Sequence, residues 1–200
     1  AVTDQQLIFY RQIARSGPAI VIIEPVSVTA NGREHPKQPF VHLPQSASEL
    51  RKIVDVIHEE NRLACLHLNH AGAGALPKII GGQPKAPSVM TCVARNGTVS
   101  EALSEQDIEM ILEGYKSSAQ KAQEVGFDVI EIQGGHGYLI SQFLNSKINK
   151  RKDAYGQDRL LFAREAISSV NAGSPDMPLI LRISGNEMAP EFGISQEDLL

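Results

Sequence analysis

The sequence predicts an α/β fold with a parallel sheet. Three observations carry the prediction: runs of strand length alternate with longer segments of helical period, the first strand run, 19–23, is continuously apolar, and the longest loops follow strands rather than helices. Continuous apolar runs suit strands covered on both faces, and the alternation implies right-handed crossovers between parallel neighbours.

Residues 4–16 open the chain as a helix, with Leu7, Tyr10 and Ala14 at helical spacing, Asp4 as the candidate cap and Ser16-Gly17-Pro18 as the stop. Residues 19–23 form the first strand run, which ends in the polar group Glu24-Pro25-Val26-Ser27. A second helix over 46–60 carries Leu50, Ile53, Val54 and Ile57 on one face, and Ser46 with Glu49 has the spacing of a capping box. It leads into a second strand over 63–68. A glycine- and proline-rich stretch over 71–103 follows, and connections of that length in compact domains are usually functional. Ser104 caps the third helix with acids in its first turn, Ile108, Ile111, Leu112, Tyr115, Ala119 and Ala122 share one face, and Gly126 ends it. Residues 127–132 are the third strand. Residues 158–170 are the fourth helix, with Phe162, Ala166, Ile167 and Val170 on one stripe, and 179–183 are the fourth strand. Residues 195–200 read as the start of another helix. A full (β/α)8 barrel takes roughly 250 residues, so the expectation is a single, truncated domain over 1–200: a partial (β/α)8 TIM barrel with about four of its eight parallel strands.

The composition is that of an ordinary globular chain, with 200 residues, 42% of them hydrophobic, 16 glycines and 11 prolines. Nineteen lysines and arginines face 23 aspartates and glutamates, and a net charge of −4 offers no general attraction to phosphate backbones or anionic lipid. The expected partner is a small-molecule substrate, with no nucleic acid and no membrane; a homo-oligomer is compatible with the reading. No apolar run approaches the roughly 20 residues that cross a bilayer, and no leader pattern opens the chain. Cys65 and Cys92 are too few for a disulfide framework, and Cys65, inside an apolar run, is expected as a reduced buried thiol. A cytoplasmic location follows from that usage.

If the strands run parallel, their C-terminal ends share one rim, and polar residues there converge although distant in sequence. Glu24 and Ser27 follow the first strand, His67, Asn69 and His70 the second, Gln133, His136 and Tyr138 the third, and Arg182, Ser184 and Asn186 the fourth. The segment from Glu131 to Leu144 is the most informative. Gly134, Gly135 and Gly137 allow a sharp turn and close approach to a flat ligand. Gln133 and His136 can each donate to one developing oxyanion, and the Tyr138 hydroxyl can deliver a proton nearby. The same residues also read as a plain turn holding a loop histidine.

This segment continues through Asn145 into Asn149-Lys150-Arg151-Lys152-Asp153-Ala154-Tyr155-Gly156, then Asp158-Arg159 and Phe162. The order E-I-x-G-x-H-G-Y-L-x-x-Q-F-L, then N-x-R-x-D-x-Y-G, resembles the Old Yellow Enzyme family of NADH:flavin oxidoreductases. Ile22-Ile23-Glu24 through Gly32-Arg33, Leu68-Asn69-His70-Ala71-Gly72 and Leu181-Arg182-Ile183-Ser184 extend the resemblance over essentially the whole chain. It implies an FMN-binding barrel that takes hydride from NADH or NADPH and passes it through the flavin to an activated alkene or similar acceptor. It also implies that Gln133 and His136 hold the substrate oxygen, that Tyr138 protonates the α-carbon, and that Glu24, Pro25, His67 and Arg182 line the flavin, with Arg182 at the N1 and C2 oxygen edge. No metal ligand is implied, and an iron–sulfur cluster would belong only to sequence outside this stretch.

The departures are specific. Gln133 stands where many members have histidine, asparagine or tyrosine, and His67 where a glutamine commonly meets the flavin pyrimidine edge, so His67 is expected to donate there. Ala73 replaces the arginine of an H-A-G-R pattern, as in larger iron–sulfur relatives, whereas Tyr138 matches the small ene reductases. Residues 156–159 are shorter than the family's Y-G-G-S loop.

Other readings stay open at this level. They are a flavin-dependent amine dehydrogenase, a metal hydrolase using His67, Asn69, His70 and His136, and a non-catalytic half barrel needing a partner chain. His35, His42 and His58 read as loop or exposed-helix residues. Arg151, Asp153, Tyr155 and Arg159 read as a loop-folding network, Lys147 to Lys152 as a solvated run, and Cys92 as an ordinary loop cysteine.

Overall fold

The computed structural model describes residues 2–41, 45–187 and 193–194. His42 and the expected helix start at residue 195 lie outside the described residues. The chain runs α1 (Asp4–Arg15), β1 (Ile20–Ile22), β2 (Val26–Ser27), α2 (Ser46–His58), β3 (Leu63–Asn69), α3 (Pro77–Ile80), β4 (Lys85–Ala86), β5 (Thr91–Cys92), β6 (Thr98–Val99), β7 (Glu101–Ala102), α4 (Glu105–Val125), β8 (Val129–Gln133), α5 (Leu139–Leu144), α6 (Ala154–Gln157), α7 (Leu161–Gly173) and β9 (Leu179–Arg182).

The main sheet has the order β1-β3-β8-β9 with every pair parallel, and β2 also pairs with β3. That is the predicted succession of about four parallel barrel strands. Its outer face, including Val21, Ile23, Leu66, Leu68, Ile130 and Ile132, packs with the buried stripes of α1, α2, α4 and α7 into one hydrophobic core. Phe143 stacks on Phe162 at 4.2 Å, seating α5 on α7. Ile22 pairs with Cys65 but Val26 with Leu68, so the chain between them holds one residue more than β3 does. This is a bulge at Glu24-Pro25, where proline has no N–H to give a ladder.

Several elements differ from the sequence expectation. The cap of α1 is Thr3 rather than Asp4: Thr3 Oγ1 accepts from the Gln6 N–H at 3.2 Å while Gln6 Oε1 accepts from the Thr3 N–H at 3.0 Å. Ser46 and Glu49 form no capping box, because the Ser46 hydroxyl donates to the Phe40 carbonyl and Glu49 Oε2 accepts from the Val2 N–H at 2.6 Å. The box at Ser104 does form, with Asp107 as its reciprocal partner, and Gly126 ends α4 at a φ of 92°. The first strand is not covered on both faces, since Ile22, on its inner side, is 36% exposed. The 71–103 stretch carries structure of its own: β4 pairs with β7, and β5 with β6 in a hairpin turned by Asn96-Gly97, both at positive φ.

Candidate active site

Register converts sequence spacing into proximity. His67 lies beside Glu131 across β3 and β8, and Gln133 beside Arg182 across β8 and β9. Residues two apart share a face of a strand, so Cys65, His67, Asn69, Glu131, Gln133 and Arg182 project together, opposite the apolar core.

At the centre is an ionic chain across three strands. Glu131 Oε1 sits 2.7 Å from His67 Nδ1 and 3.0 Å from Arg182 Nε, and Oε2 accepts from Arg182 Nη2 at 3.3 Å. His67 and Glu131 are buried and Arg182 is partly exposed. Burial holds the His67 imidazole below its ordinary range against the pull of the Glu131 carboxylate, so the ring is neutral. A neutral ring with Nδ1 against a carboxylate keeps its proton on Nδ1. Its Nε2 is therefore a bare acceptor, which reverses the donor role expected from the sequence. Among the described residues, that Nε2 and both amide atoms of Asn69 are buried without a hydrogen-bond partner. Cys65 on the same face is a buried free thiol pushed up to about 12, by burial first and then by Glu131, and is inert.

The second group sits at the end of β8. Gln133 Oε1 accepts from the Gly135 N–H at 3.1 Å, which orients the amide so that Nε2 donates to His136 Nδ1 at 3.2 Å. The His136 proton then lies on Nε2, and the exposed ring presents a donor to the rim. His136 holds a left-handed φ of 58°, uncommon for a side chain of its size, and is fixed there by its N–H donating to Ser184 Oγ at 2.9 Å. Glu187 Oε1 accepts from the Gly137 N–H and the Ser141 hydroxyl, both at 3.0 Å, and from the Ser184 hydroxyl at 3.2 Å. These contacts lock the loops after β8 and β9 together. The glycines serve this packing: a Cβ on Gly134 would lie 2.8 Å from the Arg182 carbonyl oxygen and one on Gly135 2.6 Å from Ser184 Oγ. Their close approach is to the neighbouring strand end.

Tyr138 stands apart from that pair. Its hydroxyl donates to Glu34 Oε2 at 2.9 Å, and Arg95 Nη2 lies 3.1 Å from the same oxygen. Burial and then the Glu34 carboxylate push the phenol up to about 12. Glu24 turns towards α1, its N–H donating to Tyr10 Oη at 2.9 Å and its Oε1 accepting from Gln6 Nε2 at 2.8 Å, with Pro25 beside it in the bulge. A cleft of about 610 Å³ opens at the rim, lined among others by Met90, Cys92, His136, Gly137, Ser184 and Glu187.

The remaining candidates find other places. His70 is buried with Nδ1 accepting from the Gly72 N–H at 3.0 Å, and among the described residues no three His, Cys, Asp or Glu side chains converge to hold a metal ion. Arg151 is not simply solvated: it pairs with Asp153 and donates to the Pro87 and Leu103 carbonyls, while Tyr155 Oη donates to Glu165 at 2.8 Å. His58 pairs with Asp128 at 2.7 Å. Sequence reasoning assigned no role to Glu131, Glu34, Arg95, Glu187 or Gln142. Gln142 is buried and ties two turns, accepting from the Ala73 N–H at 3.2 Å and donating to the Gly137 carbonyl at 2.7 Å. An acid in the middle of an apolar strand was the available signal for Glu131.

Fold and rim together define a class: part of a parallel (β/α)8 barrel whose polar groups collect at the C-terminal strand ends. Within that class the chain belongs to the NADH:flavin oxidoreductase / NADH oxidase family, whose profile matches residues 1–198. It is 31% identical over 205 residues to an NADPH dehydrogenase of Clostridium acetobutylicum, covering 100% of this chain and 59% of that protein. An NADPH dehydrogenase of Halalkalibacterium halodurans is 36% identical over 183 residues, with 90% and 52% covered. The Old Yellow Enzyme from Pichia sp. AKU4542 superposes with a TM-score of 0.87 at 25% identity, covering 96% of this chain and 53% of that one. The chain thus spans somewhat over half the length of each of these three relatives.

Proposed function

We propose that this chain is the flavin-facing part of an FMN-dependent oxidoreductase that passes hydride from NADH or NADPH to an activated alkene or similar acceptor. One observation carries the reading: the buried His67–Glu131 pair, joined to Arg182, leaves His67 Nε2 and the Asn69 amide as buried polar atoms without a partner among the described residues, beside the Gln133–His136 donor pair. A buried polar atom without a partner costs roughly 1 to 3 kcal/mol, and a flat ring with alternating N–H and C=O groups along its edge relieves that cost. Bound FMN would be held by His67 Nε2 as an acceptor and by the Arg182 guanidinium, oriented by Glu131, which would stabilise the negative charge of the reduced flavin. Glu24 and Pro25 at the bulge would line the same group, with Glu24 Oε1 held by Gln6 Nε2. Bound FMN supplies the hydride. Gln133 and His136 hold and polarise the acceptor oxygen, a contribution of roughly 2.7 to 4 kcal/mol per donor in comparable sites, and Tyr138 supplies the proton. The buried reduced Cys65 suits a cytoplasmic setting; among the described residues no helix is long and apolar enough to cross a membrane.

The test separates the two half-reactions in the complete flavin-loaded protein. Tyr138→Phe is expected to slow alkene reduction by about a hundredfold or more while flavin reduction by NADPH keeps its rate. Equal alkene turnover removes Tyr138 from the chemistry, and a complete protein that stays colourless in the presence of FMN ends the reading.

A further inference from the structure

Three separated segments meet at Glu34 Oε2. Glu34, in the loop after β2, offers Oε2 at 2.9 Å; Arg95, before the hairpin turn between β5 and β6, lies 3.1 Å from the same oxygen; and Tyr138 itself opens α5. Both partners are held from behind. The Glu34 N–H donates to Gln38 Oε1 at 2.8 Å, and Arg95 Nε donates to the Gly74 carbonyl at 2.8 Å. Glu34 and Tyr138 are 104 residues apart, so the contact is a product of the fold. A carboxylate accepts from a phenol but repels a phenolate, and a neighbouring guanidinium does the opposite. Glu34 and Arg95 are the charged groups that act on this hydroxyl; His136, two residues away, is engaged by Gln133 instead.

We propose that Glu34, braced by Arg95, is a positioning residue for Tyr138: it parks the hydroxyl at the rim and keeps its proton in place until an acceptor arrives. The inference rests on Tyr138 acting as the acid proposed above. When a substrate carbanion comes within reach, the O–H rotates off Glu34, the O–H bond breaks and the carbanion electron pair forms the new C–H bond. The phenolate left beside Glu34 is disfavoured and takes a proton back from water. The resting contact sets both the direction of the hydroxyl and the pH above which the acid is lost.

The experiment follows tyrosinate ultraviolet absorbance in alkaline titrations of the complete flavin-loaded protein, with Tyr138→Phe subtracted to isolate this one phenol. Reduction of an α,β-unsaturated ketone by the pre-reduced protein is followed in parallel across pH. In Glu34→Gln the Tyr138 titration is expected to move down by roughly one unit or more, carrying the alkaline limb of alkene reduction with it, while flavin reduction by NADPH stays unchanged. In Arg95→Gln both are expected to move up. A purely structural contact moves neither in this opposed way, and an unmoved Tyr138 titration in Glu34→Gln overturns the proposal. If Glu34→Gln does not fold, a missing upward shift in Arg95→Gln overturns it equally. Failure of the underlying reading has a different signature: Tyr138→Phe retains full alkene turnover although Glu34→Gln still shifts the absorbance titration, which overturns the catalytic role and leaves only the electrostatic contact.

Discussion

His70 shows how tightly single residues are constrained around the rim. It is fully buried, a Cβ on Gly32 would meet its Cδ2 at 2.5 Å, and its Nδ1 accepts from the Gly72 N–H. Protonating Nδ1 would turn an acceptor into a donor facing a donor, in a place water does not reach. Burial accordingly lowers the imidazole to about 3 from an ordinary 6.5. The unfolded chain takes up this proton first, so the stability it contributes is complete above about pH 6.5 and is lost as pH falls towards 3. The loss over that window is on the order of a few kcal/mol. His70→Asn, whose Oδ1 can still accept from the Gly72 N–H, is expected to be less stable at neutral pH but to lose less between pH 7 and about pH 4, as read by urea denaturation at both. A parallel acid loss in both proteins would show that His70 is already charged in the fold. The strand-end position of His70 was legible in the sequence. Its complete burial was not, because that depends on Gly32 arriving from a segment nearly 40 residues away.

The elements were legible where one face of a helix is wet. The stripes on α4 and α7 have a period because their other faces meet water, and Ile108, Ile111, Tyr115, Phe162 and Ala166 are buried as read. All six residues of α5 are buried, so Leu139–Leu144 has no polar face and no period to detect. The box at Ser46 failed for a different reason, since tertiary partners outcompeted the local pair. At the joint between β8 and β9 the glycines act as spacers. Gly135→Ala would drive a Cβ to within 2.6 Å of Ser184 Oγ and 2.8 Å of its backbone nitrogen, and backbone cannot swing away as a side-chain tip can. The variant is expected to lose roughly 1 to 3 kcal/mol and to release the His136 N–H from Ser184, so that hydrogen exchange at His136 quickens before the core exchanges. An unchanged denaturation midpoint with slow exchange at His136 would mean that the loop pair relaxes freely and is not locked.

Across the whole molecule, the sheet divides into an apolar outer side and a polar inner side, and the sequence carries that division faintly. Leu66-His67-Leu68-Asn69 and Ile130-Glu131-Ile132-Gln133 alternate apolar and polar residues with the strand period. Alternation places His67 and Glu131 inside. It does not say that they are neighbours, which follows only from the register of β3 against β8. From β8, the Glu131 side chain contacts both neighbouring strands, through His67 on β3 and Arg182 on β9, and its removal tests the inner face as a flavin wall. In Glu131→Gln the amide oxygen can still accept from His67 Nδ1, and Arg182 is exposed enough to take water in place of the lost carboxylate. The stability cost should therefore fall at the low end of that for a broken buried pair, roughly 3 kcal/mol. The larger effect is on the ligand. On the proposed function, where the Glu131 carboxylate orients Arg182 towards the flavin, losing it should shrink the gain in stability from added FMN. A protein with FMN at a hundred times its Kd gains about 2.7 kcal/mol by mass action, and a tenfold loss of affinity cuts that gain roughly in half, to about 1.4. Urea midpoints of the complete protein and of Glu131→Gln, each with and without FMN, read both quantities at once. An FMN-dependent gain of the same size in both would place the flavin away from this cluster, whatever the variant costs in stability.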